Sequence, residues 1–484
     1  MICVDKIKEA LDQIESGDLY PFHMPGHKRQ MPQAIWKTVY SRDITEIEGY
    51  DNLHHAEGII KEEQQYAAQL FGAEESYYLI NGSSCGVLSA ICTVAEQQPM
   101  TKILMCRNAH KSAYNGLMLS GAWADYLYPQ EIKGHPYMGA ICADDVKEAL
   151  EKEFYAAVFI TSPTYEGIVS DIRKICELAH DKGIPVIVDE AHGAYLGIWG
   201  DGDFFPESAL SQGADIVTQS LHKTLPAMTQ TAIIHVQGER IDKQKLRLFL
   251  STFQSSSPSY IMMNSISSCL HFCDENAETL IQAYKERLDS FYKKTVTLQT
   301  IRVYKPNKEI CKDPGKIIID GRKCGLSGCD LSKILRERYH LEMEMAAKDY
   351  CIAMTSVMDT EEGFERLWKA LKELDTCERK DSGFLKERTE ITSRIPKAKS
   401  TMTIKAAISK EGEKLLLEDC KDRISREFIY PYPPGIPMVA PGETITAEIL
   451  DYIKDAKNMG VQIQGPEDYS GNRICCIKEI GNMI

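Results

Sequence analysis

Four short clusters in the 484-residue chain carry residues whose types and spacing suit catalysis. Asp189-Glu190-Ala191-His192 closes one apolar run, and Ser220-Leu221-His222-Lys223 closes the next. Asn81-Gly82-Ser83-Ser84-Cys85-Gly86 puts small residues and two hydroxyls where a strand gives way to a helix. Free N–H groups and the helix dipole make such a turn a phosphate cup. Arg107-Asn108-Ala109-His110-Lys111 is the fourth cluster. A lysine able to form a Schiff base, an anion for a pyridinium nitrogen, donors for a phosphate and a flat group for a ring are what pyridoxal phosphate requires.

The surrounding pattern explains how these clusters meet. Ser76–Ile80, Lys102–Cys106, Asp125–Tyr128, Ala156–Thr161, Pro185–Asp189, Asp215–Gln219 and Thr231–Val236 are short and rich in Val, Ile, Leu and Tyr, as strands covered on both faces should be. Amphipathic stretches lie between them at Ser84–Ala95, Lys111–Gly121, Ala143–Glu153 and Asp171–Lys182. The alternation predicts an α/β fold with a mostly parallel seven-stranded sheet flanked by helices. Ligands of such sheets bind beyond the carboxyl ends of the strands, where the clusters fall.

A continuous helix is predicted over Pro258–Thr295. Beyond it come strands at Lys316–Asp320 and Ile352–Met354, helices at Leu331–Tyr339 and Glu361–Leu374, a charged surface excursion over Asp375–Ser400, a proline-rich connector at Pro431–Pro437 and a last helix from Thr446. This divides the chain into an arm (1–50), a large domain (51–295) and a smaller α+β C-terminal domain (296–484). With 56 Lys and Arg against 70 Asp and Glu, the net charge of −14 argues against nucleic acid as a partner. No uncharged apolar stretch is long enough to span a membrane, and early acids break any signal-peptide core, so a cytoplasmic location is expected. Sixteen cysteines without one C-x-x-C pair predict small buried hydrophobes and no metal site.

Pro21-Phe22-His23-Met24-Pro25-Gly26-His27-Lys28, Asn81-Gly82-Ser83-Ser84, Arg107-Asn108-Ala109-His110-Lys111-Ser112 and Ser220-Leu221-His222-Lys223 resemble the Orn/Lys/Arg-type (group III) pyridoxal-phosphate decarboxylases. Tyr432-Pro433-Pro434-Gly435-Ile436-Pro437 with Pro441-Gly442-Glu443 resembles that family's C-terminal domain. The resemblance implies the aspartate aminotransferase-like fold (fold type I), in the short form found in Gram-positive bacteria. Carried over by position, it implies that Lys223 is the Schiff-base lysine and that Asp189 pairs with the pyridinium nitrogen. His110 would stack on the ring, with Ala191 on the other face. Ser83, Ser84, Ser220 and His222 would hold the phosphate, and His192 would lie near the phenolic oxygen. His110 or Lys223 would return the proton to Cα. The segment from His23 to Arg29 would fold against the site instead of forming an exposed basic turn.

The expected substrate is a basic amino acid, arginine before lysine, decarboxylated to its amine. Glu443 and Glu344 are candidates to receive its distal cation, with Glu166 a weaker third. The resemblance also implies a homodimer or a dimer-based oligomer, with Ser255, Ser256 and Ser257 reaching the partner's phosphate region. Transamination or elimination on the same cofactor, and a non-catalytic regulatory relative, are the alternatives. The letters Asp189-Glu190-Ala191-His192 also spell a DEAH-type ATPase motif, but no phosphate loop precedes them.

Overall fold

The computed structural model describes residues 18, 20–23, 26, 28, 43–97, 101–307, 309–375, 395–397, 399–432, 435–458 and 461–479. Met24, Pro25, His27, Arg29, Pro433, Pro434 and most of the charged excursion lie outside the described residues. After a short strand β1 (Tyr20–Phe22), seven strands form one sheet: β2 (Glu75–Leu79), β3 (Lys102–Cys106), β4 (Trp123–Leu127), β5 (Ala157–Thr161), β6 (Val186–Asp189), β7 (Ile216–Gln219) and β8 (Ala232–Val236). Their spatial order is β2-β8-β7-β6-β5-β3-β4. Only β8 runs antiparallel to its neighbours, so β2, β3, β5, β6 and β7 all present their carboxyl ends at one edge.

Local chemistry sets where these elements stop. β6 and β7 are buried along their whole length, as helices on both faces require. The helix Gly82–Ala95 begins at Asn81, and Lys111–Ser120 begins at His110, whose ring accepts the Ser112 N–H. Gly121 ends the latter in the left-handed region (φ 78°), which costs glycine little. Two helices were absent from the sequence pattern, Ile59–Phe71 and Lys243–Phe253. The continuous helix expected over Pro258–Thr295 is instead two, Tyr260–Glu275 and Ala277–Thr295, because Asn276 leaves helical geometry (φ −113°, ψ 15°).

Beyond the sheet, β9 (Arg302–Tyr304), β10 (Lys316–Asp320), β12 (Met345–Ala346) and β13 (Cys351–Met354) form a four-stranded sheet ordered β12-β13-β10-β9. β11 (Leu341–Met343) pairs in parallel with β1 in a separate two-stranded sheet, which ties the N-terminal segment to the stretch just before β12. Ile317, Leu335 and Leu371 join the main core. A separate apolar cluster of Leu417, Ile429, Val439, Ile449, Ile453 and Ile474 organises the last part of the chain. Among the described residues, no helix is long and apolar enough to cross a membrane.

Candidate active site

The site is assembled from the ends of adjacent strands. Asp189 ends β6, and Lys223 lies in the helical turn Leu221–Thr224 that follows β7. Lys223 Nζ is 3.0 Å from His192 Nε2, and burial lowers the lysine's pKa while the Asp189 and Glu344 charges oppose that shift. A depressed lysine pKa favours the free amine, the nucleophilic form. Asp189 is 4% exposed, and its Oδ1 accepts the Ala191 N–H at 3.2 Å. Burial raises its pKa, with Lys223 pulling the other way. A buried carboxylate so sparsely bonded is stabilised by a cation placed against it. Ala191 and His192 are buried in the turn after β6, and His192 Nδ1 has no hydrogen-bond partner.

The phosphate cup forms where β2 ends. Gly82 has φ +76°, and a Cβ on Gly86 would lie 2.7 Å from Leu79 Cδ1 and 2.9 Å from Thr218 Cγ2. Glycine at 86 therefore lets the helix N-terminus settle onto β2 and β7. Ser83 Oγ is 2.8 Å from Ser220 Oγ, joining the cup to the end of β7, while Ser84 is exposed. His222 shares a hydrogen bond between Nδ1 and the Thr231 carbonyl (2.9 Å) at the start of β8. Ser255, Ser256 and Ser257 are exposed beside the cup, with the Ser255 N–H 3.4 Å from Asn81 Oδ1.

His110 follows β3. Its Nδ1 accepts the Ser112 N–H at 3.2 Å, so the helix-capping role uses the ring edge and leaves a face for stacking. Burial, with Lys223 and Lys111 nearby, pushes its pKa down to about 4. The N-terminal motif lies against this machinery. The Gly26 N–H donates to the His222 carbonyl at 2.6 Å, and a Cβ there would meet Leu225 O at 2.7 Å. Lys28 is 1% exposed and donates to the carbonyls of Met354 (2.6 Å) and His23 (2.9 Å), so it is no surface lysine. Lys111 Nζ is bonded to Tyr430 Oη at 3.1 Å.

The three candidate carboxylates differ sharply. Glu443 is 1% exposed, and its Oε1 and Oε2 accept from Arg107 at 2.8 and 2.9 Å. Glu166 accepts from Tyr350 Oη (2.7 Å) and Thr164 Oγ1 (3.0 Å). Glu344, partly exposed between β11 and β12, accepts from Tyr165 Oη at 2.5 Å, and the Tyr165 ring packs 4.6 Å from the His192 ring. Tyr165 and Arg107, whose individual roles the sequence leaves open, and the buried Lys316, which donates to the His192 carbonyl at 3.2 Å, are neighbours of this machinery. The strand-end position of Thr161-Ser162-Pro163-Thr164-Tyr165 was the available signal for the first.

The residues present fit pyridoxal phosphate: a partnerless imidazole nitrogen, a sparsely bonded buried carboxylate, a depressed lysine and a hydroxyl-lined helix start share one edge. The sheet order and site define the fold type I class of pyridoxal-phosphate enzymes. Residues 7–315 match the major domain of the Orn/Lys/Arg decarboxylases and residues 386–469 their C-terminal domain, and the chain belongs to that family of carboxy-lyases. It is 32% identical over 476 residues to an arginine decarboxylase of Halalkalibacterium halodurans, covering 95% of this chain and 94% of the relative. An arginine decarboxylase of Bacillus subtilis is also 32% identical, over 474 residues and the same shares. Among solved structures, the constitutive lysine decarboxylase of Escherichia coli superposes with a TM-score of 0.75 at 21% identity, covering 98% of this chain and 82% of that one.

Proposed function

We propose that the protein is a pyridoxal-phosphate-dependent decarboxylase of arginine, yielding agmatine, with lysine the second-best substrate. The observation that carries this is Lys223 and Asp189 at the ends of neighbouring parallel strands, in a chain 32% identical to arginine decarboxylases over 95% of its length. When bound, pyridoxal phosphate supplies the electron sink that accepts the electrons of the Cα–carboxylate bond. Asp189 keeps a positive charge on the ring nitrogen. Ser83, Ser84, Ser220 and His222 would hold the phosphate, while His110 and Ala191 would flank the ring and His192 would face its phenolic oxygen. Lys223 would hold the cofactor through its Nζ and, once the substrate amine has taken that place and Nζ carries a proton, would return that proton to Cα. His110, depressed to about 4, carries no spare proton at neutral pH and serves as a flat neutral wall.

Glu344 receives the distal cation in this proposal, because it stands beside Tyr165 and His192 and its charge is felt at Lys223. Glu443, by contrast, is already neutralised in a buried two-pronged pair with Arg107. A planar guanidinium suits a two-oxygen acceptor better than an ammonium does. Ser255, Ser256 and Ser257 complete the partner's phosphate region in a homodimer, and a fully active monomer in sedimentation would overturn that part. The deciding test is CO2 release from arginine, lysine, ornithine and norleucine. Arginine should lead, and norleucine turning over as well as arginine would remove the anionic pocket.

A further inference from the structure

Arg107 ends the same strand register that delivers His110, yet it touches none of the groups just assigned. Its side chain is wholly buried, with the guanidinium 4.7 Å from the Tyr126 ring centre and 5.6 Å from that of Tyr114. One terminal nitrogen donates to Glu443 Oε1 at 2.8 Å; the other donates to Glu443 Oε2 and to the Met438 carbonyl, both at 2.9 Å. Glu443 Oε2 also accepts the Ala440 N–H at 2.8 Å, so the pair fixes the 438–443 turn as well as the contact. A planar fork on a carboxylate is the most directional ion pair a side chain can make, and burial makes loss of one member costly.

The turn held this way continues into the wall beside His110. The Gly435 carbonyl accepts the Lys111 N–H at 3.2 Å. A Cβ on Gly435 would lie 3.7 Å from His110 Cδ2 and Nε2 and from Tyr432 Cδ2, so the backbone there runs against the imidazole. Lys111 Nζ bonds Tyr430 Oη at 3.1 Å, a second stitch across the same junction. We infer that Arg107 and Glu443 are a positioning pair: they dock residues 435–443 onto the residue that flanks the cofactor ring and keep water from that face. The inference rests on the pyridoxal-phosphate reading above. The charged and titratable groups facing His110 are Lys223, His192, Lys111 and Tyr432. Undocking would rehydrate the imidazole, and its proton affinity would climb toward the ordinary histidine value.

The test uses histidine-labelled protein without cofactor, with the His110 signal assigned through His110→Gln. In the unmodified chain His110 should titrate near pH 4. In Glu443→Gln it should titrate at least about one unit higher, and with cofactor and arginine kcat should fall roughly tenfold while KM moves less. Arg107→Lys keeps the buried charge balanced but cannot span both oxygens and the Met438 carbonyl, so it should fold, and shift His110 in the same direction, even where Glu443→Gln fails to fold. Titration of His110 as in the unmodified chain in both variants overturns the pair's role. A raised KM for arginine with His110 unmoved also overturns it and returns Glu443 to substrate recognition. Failure of the pyridoxal-phosphate reading itself would show separately, as absence of Schiff-base absorbance when the cofactor is added to the unmodified chain.

Discussion

The strand-end edge and the junction between the major and C-terminal domains are built on different principles. At the edge, each functional residue follows its strand within a few positions: Asp189 ends β6, and Lys223 comes four residues after β7 ends at Gln219. Parallel pairing alone then brings them together. At the junction, Arg107 meets Glu443 across a separation of 336 residues, and nothing local in either segment requires the contact. Chemistry is therefore carried by short-range geometry, while the wall around it depends on a long-range contact.

The sharpest way to break this division is at Lys223. Lys223→Ala should lower decarboxylation by about 10^4-fold or more, and the yellow Schiff-base absorbance should vanish. Borohydride reduction of the unmodified enzyme should tag the peptide containing Lys223. A tag on Lys28 or Lys111 would show that the strand-end rule had selected the wrong lysine. Asp189→Asn comes next, with the cofactor retained and kcat lowered by about 10^2–10^3, because a neutral partner no longer favours the charged ring. Unchanged kcat with bound cofactor would remove Asp189 from the chemistry.

The same division governs how much could be read from residues alone. All seven strands of the main sheet fall within two residues of their expected limits, because β-rich runs between helical stretches are local signals. The reversed direction of β8 was not legible, since an apolar run carries no sign of its pairing. The break at Asn276 was missed because both flanking segments are amphipathic and one polar residue is an ordinary helix component. In sequence, Glu443 is a substrate candidate as the carboxylate that follows Pro441-Gly442 in a motif resembling the family's C-terminal domain. The guanidinium that occupies it comes from the opposite half of the chain. Lys28 is the converse: basic composition alone places it on the surface, the family resemblance folds its segment inward, and it is buried with Nζ on the Met354 carbonyl of β13.

Glu190 tests whether the edge is rigid beneath the catalytic residues. Its carboxylate accepts from the Ala209 N–H at 2.8 Å, Gln219 Nε2 at 2.6 Å and Ser208 Oγ at 3.0 Å, and burial pushes its pKa up to about 7. A folded-state pKa above the unfolded one stabilises most below the unfolded value, and that contribution is lost as pH rises through the folded value. Relative to Glu190→Gln, the unmodified chain should therefore lose up to about 3 kcal/mol between pH 4.5 and pH 7.5. Urea unfolding at the two pH values measures it. A constant difference between the two proteins would mean that Glu190 folds already ionised.

The smallest effect is expected where the two regions meet. Glu344 lies between β11 and β12, yet its carboxylate reaches Tyr165, which follows the end of β5 in the main sheet. It is partly exposed, and its charge is felt at Lys28, Lys223 and Lys316, so it already works against a crowd of ammonium groups. A guanidinium entering there replaces part of that interaction and gains only the difference. Glu344→Gln should accordingly raise KM for arginine about tenfold with kcat little changed, the loss of one charge-assisted contact. Lysine should suffer less, because an ammonium engages the carboxylate as a point charge, and norleucine should be unaffected. An equal loss for all three would mean that Glu344 supports Tyr165 and His192 and does not meet the substrate.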